Sequence, residues 1–185
     1  LPTCADSMHD VEHIFVITDT FLPVGYMGDI DAVTVVDRFK EELDTNTTQN
    51  DCTKITYLPD KTIRNNNWAG VYWLYPVYPE INWGDLPGYN LSGYSHMTFH
   101  ARGEKGGEIA EFKFGGIEVK EKSYHDSVIP ARTTGKITLQ KEWSDYSFDL
   151  TENDLASVLG GFCWVTTESD NPEGCIVYVD DIILK

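Results

Sequence analysis

The residues best suited to chemistry in this sequence are aromatic side chains clustered in its middle third. Five of them lie in or beside one apolar run and the segment after it: Trp68, Tyr72, Tyr75, Trp83 and Tyr89. Flat aromatic rings can stack on the C–H faces of sugar rings, while neighbouring amides and carboxylates bind the hydroxyls. The cluster therefore predicts a carbohydrate-binding platform. The same rings could instead fill the core of a β-sandwich, and the sequence leaves both alternatives open.

A second set of residues could hold a metal ion. Five aspartates lie near the first and last predicted strands: Asp19, Asp29, Asp31, Asp180 and Asp181. The first and last strands of a sandwich are often neighbours, so these carboxylates would repel one another unless a cation neutralised them. Ca²⁺ selects oxygen ligands, and we predict one structural calcium ion as a cofactor. The alternative is that the aspartates are separate turn residues and hydrogen-bond acceptors.

Two histidine pairs have spacings that bear on a metal site. His9 to His13 spells H-x-x-E-H, which on a helix places two imidazoles on one face for zinc. This motif lies beside an apolar β-run without a helix signal, so we expect residues 1–12 to be loosely ordered. His96 and His100 lie about 13 Å apart on a strand, too far to share one ion. The sequence also lacks a nucleophile elbow and a phosphate loop, so we predict a protein without catalytic activity.

The charge balance excludes several partners. The 185 residues include 14 basic and 30 acidic side chains, which gives a net charge of −16. Nucleic acids and anionic membrane surfaces both require the opposite sign, so we expect neither as a partner. No apolar run approaches the roughly 20 residues of a membrane-spanning helix. The excess of carboxylates suits a secreted protein that binds Ca²⁺, although it could equally serve only to keep the surface solvated.

The cysteines favour an oxidising compartment. Cys4, Cys52, Cys163 and Cys175 form no C-x-x-C pair, which argues against a zinc or redox motif. An even number of cysteines suits two disulfides in an exported protein. Of the three pairings that four cysteines allow, we favour Cys4–Cys52 and Cys163–Cys175.

Other features point to the same compartment. Two N-x-[ST] sequons, at Asn46 and Asn90, are compatible with export and glycosylation. The chain starts at Leu1 without a basic or apolar leader, which we interpret as a mature form whose export signal has been removed. We therefore expect a secreted or cell-surface protein.

Strand signals dominate the chain. About ten short runs rich in β-branched or aromatic residues are bounded by Gly, Pro or Asp: 13–18, 32–36, 53–58, 69–75, 96–102, 109–114, 136–140, 146–150, 162–167 and 175–184. Helix signals are weak, and segments 37–43 and 152–159 are predicted to form only a turn or two. This pattern predicts an all-β fold, an antiparallel two-sheet β-sandwich or jelly roll, in one domain over residues 1–185.

Alternation assigns some side chains to faces. In one hairpin strand, Phe112 lies on the face opposite Glu111 and Lys113. The strand that carries Tyr72 and Trp73 differs, because both of its faces carry large aromatic rings. Such a strand either is buried on both sides or presents one side to a ligand.

Several runs together resemble a known family. WAGVYW, NWGDLPGYNLSGYSHMTFHARGEKGGE, TGKITLQKEWSDYSFDL, GGFCWV and YVDDI resemble the galactose-binding-like jelly rolls of extracellular carbohydrate-binding modules. The resemblance covers residues 33–184. It implies a non-catalytic β-sandwich, often with a structural calcium near the first and last strands.

The resemblance also implies roles for individual residues. It places the acidic position of the closing strand on Asp180 or Asp181. It places four residues on a core strand after a turn: Trp143, Tyr146, Phe148 and Leu150. The chain departs from the pattern at Asn90, where Asp is usual, and at His100, where an aromatic residue is usual.

Two functions follow as hypotheses. The first is a secreted, calcium-stabilised jelly roll that binds a polysaccharide or glycan without catalysis. The second is a self-assembling extracellular subunit of a surface layer, sheath or filament, whose sheet edges pair with those of neighbouring copies.

Overall fold

Strands make up nearly all of the regular structure in the computed structural model, which describes residues 14–40, 51–60 and 66–185. Eleven strands are formed by these residues: β1 Phe15–Val16, β2 Leu22–Gly28, β3 Val33–Lys40, β4 Asp51–Tyr57, β5 Trp68–Leu74, β6 His96–Gly103, β7 Ile109–Phe114, β8 Arg132–Thr138, β9 Ser144–Asp149, β10 Gly160–Thr167 and β11 Cys175–Leu184. Two 3₁₀ turns, Ile17–Asp19 and Ile30–Ala32, are the only helical elements among them. The predicted loosely ordered segment 1–12 and the sequon at Asn46 lie outside the described residues.

The strands form two antiparallel sheets. The first sheet has the order β3–β4–β11–β6–β9, with β1 also paired to β11, and the second has the order β2–β5–β10–β7–β8. Strands that are distant in the chain are neighbours in both sheets, such as β4 and β11 in the first and β5 and β10 in the second, as in a jelly roll. The predicted all-β, antiparallel two-sheet sandwich is therefore confirmed.

The core lies between the inward faces of the two sheets. At its centre the ring of Phe99 on β6 lies 5.0 Å from the rings of both Phe112 on β7 and Phe162 on β10. Trp73 on β5 adds an edge-to-face contact with Phe162 at 5.2 Å. All four side chains are fully buried. Because such ring pairs add about 0.5–1.5 kcal/mol each beyond their buried area, this cluster joins the two sheets.

Strand β2 is absent from the predicted elements. Its sequence contains Pro23 and Gly25, which are poor strand formers, and the register with β5 shifts between these two residues. β2 tolerates both because it lies at the edge of the second sheet, where a ladder hydrogen bond can be lost at low cost.

Neither predicted helical turn is found in the described residues. Residues 37–40 of the predicted segment 37–43 continue strand β3, and residues 41–43 lie outside the described residues. Segment 152–159 forms non-helical turns and bends, in which Val158 makes an isolated bridge with Tyr89. In segment 152–159 the backbone hydrogen bonds between Val158 and Tyr89 outweigh a modest helix propensity.

No helix in the described part of the chain is long and apolar enough to cross a membrane.

The predicted Cys163–Cys175 disulfide is not formed. Both residues are buried thiols, but Cys163 lies on β10 in the second sheet and Cys175 lies on β11 in the first. Cys163 also packs on the outer side of its sheet, with Tyr72, whereas Cys175 belongs to the core between the sheets. The two sulfur atoms are therefore separated by sheet backbone. The predicted Cys4–Cys52 pairing involves Cys4, which lies outside the described residues.

Trp143 does not lie in the core, contrary to the role that the family resemblance implied. It immediately precedes β9 and is 39% exposed, with the Arg102 guanidinium 5.4 Å from its ring. Phe148 and Leu150 are buried as implied, and Tyr146 is half-buried against the core.

The edge strands are β3 and β9 in the first sheet and β2 and β8 in the second. Self-assembly through these edges stays a prediction.

The packing predicts a large effect of shortening Phe99. Phe99→Ala should lower the free energy of unfolding by about 3–5 kcal/mol, because it leaves a cavity between four aromatic rings. Thr98→Ala, on the outward face of the same strand, is the control and should change stability by less than about 1 kcal/mol. Urea unfolding measures both, and equal losses would contradict this account of the core.

Candidate functional site: a groove on the outer face of the second sheet

A groove of about 420 Å³ lies on the outer face of the second sheet. Its volume falls within the range of about 300–1,000 Å³ typical of small-molecule sites. Three aromatic residues, Trp68, Tyr72 and Trp83, line it together with two charged residues, Lys113 and Glu118. The remaining lining residues are small or apolar: Met27, Gly116, Ile117, Val119, Cys163 and Val165.

Strand alternation positions the aromatic side of the groove. Along β5 the side chains of Val71 and Trp73 point into the core, so Trp68 and Tyr72 point outward. Gly70 lies between them, and its missing side chain leaves room for Met27, which covers this position and lines the groove. A Cβ atom there would lie about 3.0 Å from the Met27 methyl group and the Trp164 carbonyl oxygen.

Tyr72 is a rigid, neutral part of the wall. Its hydroxyl donates a hydrogen bond of 2.9 Å to the carbonyl of Gly115, and only 7% of the residue is exposed. Burial raises the pKa of the Tyr72 phenol far above its ordinary value. The ring of Trp83 meets that of Tyr72 edge to face at 6.1 Å. The two rings are nearly perpendicular, and together they form the aromatic side of the groove.

A charged pair lies across the sheet from these rings. Lys113 on β7, Cys163 on β10 and Tyr72 on β5 occupy one row of paired residues, so Lys113 lies two strands from Tyr72. The Lys113 ammonium group lies 3.4 Å from a Glu111 carboxylate oxygen, which also accepts a hydrogen bond of 2.6 Å from Thr133. The groove therefore combines apolar ring surface with charged hydrogen-bonding groups.

One buried carboxylate supports the loop wall of the groove. Asp126 is 4% exposed and accepts backbone hydrogen bonds from Ile117 at 2.7 Å, from Leu159, and from Gly160 at 3.3 Å. These bonds tie the segment after β7 to the start of β10. Burial raises the pKa of Asp126 to about 6, and the three N–H donors lower it by a smaller amount.

Two of the five predicted ligand-binding aromatics do not line the groove. The rings of Tyr75 and Tyr89 contact each other at 5.0 Å and both pack on Phe21 at the margin of the core. Their loops bring them to the space between the sheets. The structure therefore brings together Trp68, Tyr72 and Trp83 and separates them from the other two.

The five predicted calcium ligands occupy several surroundings. Asp29 accepts hydrogen bonds from Asn66, whereas Asp181 lies beside His100, with 3.4 Å between its oxygen and Nδ1. Asp180, the preceding residue, is half-buried, while Asp19 and Asp31 are exposed residues of the 3₁₀ turns. Within the described ranges, no group of three or more His, Cys, Asp or Glu side chains is arranged to hold a metal. Calcium binding stays a prediction.

The sequon at Asn90 lies in an exposed turn. The Asn90 side-chain oxygen accepts hydrogen bonds from the backbone N–H and the hydroxyl of Ser92, at 3.0 and 2.7 Å. Asn90 stands where the family pattern usually has Asp, and its side-chain oxygen still provides a turn-forming hydrogen-bond acceptor. Glycosylation of Asn90 stays a prediction.

Sequence reasoning did not identify Lys113, Glu118 and Asp126 as parts of the site. Alternation did place Glu111 and Lys113 on the outward face of β7, but gave no reason to connect that face with the aromatic residues. Asp126 had no local signal, because two of its hydrogen-bond donors lie more than 30 residues away in the chain.

Comparisons with solved structures identify the fold. The chain is similar to a family 30 carbohydrate-binding module, with a TM-score of 0.58 and 14% identity over 94% of this chain and 98% of the other. It is also similar to the family 30 module of the Clostridium thermocellum cellulosomal cellulase Cel9D-Cel44B, with a TM-score of 0.54, 13% identity and coverage of 90% and 92%. For the family 11 module of Lic26A-Cel5E from the same organism the values are 0.54, 11%, 93% and 92%.

No protein-family model and no curated protein sequence matches the chain. At such low identities the structural similarity shows the fold alone. The protein therefore has the jelly-roll fold of carbohydrate-binding modules, as the sequence resemblance implied.

The buried carboxyl predicts a measurable pH dependence. Because the folded-state pKa of Asp126 is raised from 3.8 to about 6, ionisation opposes folding, and its cost is removed as the pH falls through about 6. Between pH 7 and pH 4 the wild-type protein should gain about 2 kcal/mol relative to Asp126→Asn, in which this group cannot titrate. Urea unfolding of both proteins across that range measures the difference. A difference that stays constant with pH would contradict the assignment.

Proposed function

We propose that the protein is a non-catalytic carbohydrate-binding module that holds a polysaccharide chain in the groove of the second sheet. The observation that carries the proposal is the pairing of the Trp68, Tyr72 and Trp83 rings with Lys113 and Glu118 in one groove. The partly exposed Trp68 and Trp83 rings would cover the C–H faces of sugar units, while the buried Tyr72 ring supports Trp83. The charged groups would hydrogen-bond the hydroxyls and so determine orientation along the groove.

The chemistry of the surface favours a neutral polysaccharide. The net charge of −16 would repel a polyanionic glycan. Lys113, the one basic residue among the described residues that line the groove, already lies 3.4 Å from Glu111. Similarity to three modules described as carbohydrate-binding supports the class of ligand. We also propose that the module acts outside the cell, either secreted or at the cell surface, where polysaccharides are encountered.

Binding should depend on the groove tryptophans. Trp68→Ala and Trp83→Ala should each weaken binding at least tenfold, since a well-packed aromatic anchor contributes about 2 kcal/mol or more. Trp143→Ala is the matched control, because Trp143 is exposed beside Arg102 of the first sheet and does not line the groove.

Affinity electrophoresis measures these effects in gels that contain hydroxyethylcellulose, arabinoxylan, galactomannan or the polyanion polygalacturonate. Hydroxyethylcellulose is the first probe, because two of the similar structures are modules of cellulosomal cellulases. We expect retardation by at least one neutral polymer and none by polygalacturonate. Migration unaffected by every polymer, or a loss of retardation in Trp143→Ala alone, would contradict the proposed function.

We further propose that a calcium ion stabilises the fold near Asp29. One Asp29 oxygen accepts hydrogen bonds from the Asn66 backbone and side chain at 2.6 and 3.1 Å, while the other is buried without a hydrogen-bond partner among the described residues. The hydroxyl of Tyr57 is also buried and makes no hydrogen bond with the described residues. Burial, followed by the charges of Asp29 and Glu168, raises the pKa of Tyr57 to about 12. A cation with oxygen ligands would satisfy this concentration of negative charge.

Calcium removal provides the test. EDTA should lower the melting temperature by several degrees, because an ion that binds only the native state stabilises it by mass action. Asp29→Asn should abolish this sensitivity, whereas Asp180→Asn should retain it. Identical melting curves with EDTA and with excess Ca²⁺ would rule out the calcium site without affecting the proposal for the groove.

A further inference from the structure

The loop that carries Trp83 is built on a single buried side chain, that of Asn82. This residue is 1% exposed, and its carbonyl oxygen accepts hydrogen bonds from three consecutive backbone N–H groups. The donors are Gly84 at 3.0 Å, Asp85 at 2.9 Å and Leu86 at 3.0 Å. An asparagine that caps its own turn in this way fixes the backbone of the residues that follow it.

The amide nitrogen of Asn82 attaches the same turn to the sheet. It donates hydrogen bonds to the carbonyls of Tyr75, directly after β5, and of Leu86, at 3.1 and 2.9 Å. The backbone N–H of Asn82 donates to the carbonyl of Pro76 at 3.3 Å. One side chain therefore joins both ends of the turn to the end of the strand that carries Tyr72. Its use of both an acceptor and two donors requires an amide at this position.

A second loop fixes the turn from the other side. Lys122 contacts both carboxylate oxygens of Asp85 at 2.5 and 2.6 Å, and the Tyr124 N–H donates to the carbonyl of Gly84 at 3.0 Å. Gly84 has φ +115°, and a Cβ atom there would lie 2.5 Å from the Tyr124 carbonyl oxygen. The turn that contains Asn82 and Trp83 is therefore fixed both by the Asn82 side chain and by the second loop.

We propose that Asn82 is a positioning residue of the glycan groove, which sets the location of the Trp83 ring without touching the ligand. The inference rests on the proposed function, because Trp83 matters only if sugars stack on it. Asn82 itself does not line the groove, whereas Trp83 does and also contacts Tyr72 edge to face. Its contribution to affinity should therefore be transmitted through Trp83.

A double-mutant cycle tests this transmission. Asn82→Ala should weaken binding of the polysaccharide that gives the largest retardation by about tenfold, and should have no further effect in the Trp83→Ala background. The matched control is Asn171→Ala, which removes another buried amide with hydrogen bonds to Ile109 and Thr166, outside the groove. It should lower the melting temperature but leave the affinity unchanged. Equal weakening by Asn82→Ala in both backgrounds would overturn the proposal.

Asn82→Asp separates positioning from simple loss of volume. It keeps the acceptor but places a carboxylate oxygen against the carbonyls of Tyr75 and Leu86, so we expect weakened binding at pH 7 as well. Wild-type affinity in this variant would show that the amide donors are not required and would overturn the proposal.

A measurement on the free protein distinguishes failure of this inference from failure of the proposed function. The indole N–H signal of Trp83, assigned by its loss in Trp83→Phe, should shift or broaden in Asn82→Ala and remain unchanged in Asn171→Ala. This result is expected even if no polysaccharide binds, in which case only the proposed function fails. An unperturbed Trp83 signal in Asn82→Ala overturns the positioning role whatever the protein binds.

Discussion

Strand β5 carries aromatic side chains on both faces, and the core and the groove both depend on that arrangement. Trp73 points inward, where its ring meets Phe162 at 5.2 Å, and Tyr72 points outward, where its hydroxyl binds the Gly115 carbonyl. Because side chains alternate along a strand, a slip of one residue in register would exchange the two faces. The same pairing of β5 with β10 therefore fills the interior and presents the ring wall of the groove. Stability and binding surface are coupled through one element.

The loop walls of the groove depend on buried polar groups as well as on apolar packing against the sheet. Asp126 and Asn82 are both almost fully buried, and each is satisfied by several backbone hydrogen bonds. Buried polar groups with complete hydrogen bonding specify one geometry, because any rearrangement leaves some of them unpaired. This explains how Trp83, which belongs to no strand, can contribute to a defined groove.

Much of the fold could be predicted from local patterns, whereas the site could be predicted only in part. Segments 109–114 and 175–184 have the observed strand limits, because their alternation and flanking turns are clear. β2 was missed because its proline and glycines are tolerated only at a sheet edge, which is a property of the assembled sheet. Similarly, nothing local to Asp126 or Asn82 indicates that long-range or loop-closing hydrogen bonds will bury them.

The aromatic residues show the same limit. Alternation on β5 separates Tyr72 from Trp73, but gives no information on which face meets the other sheet. Tyr75 and Tyr89 lie beyond regular strands, and only the path of their loops places them at the margin of the core. Core packing is therefore observed for Tyr75 and Tyr89, whereas Trp68, Tyr72 and Trp83 line a groove for which sugar binding is our proposal.

The five tryptophans allow the most direct test of the account, because they divide among groove, core and remaining surface. An NMR titration would follow their indole N–H signals as an oligosaccharide prepared from the retarding polysaccharide is added. We predict shifts for Trp68 and Trp83, little change for the buried Trp73 and Trp164, and none for Trp143. Shifts confined to Trp143, or none at saturating oligosaccharide, would contradict the claim that this groove is the binding site.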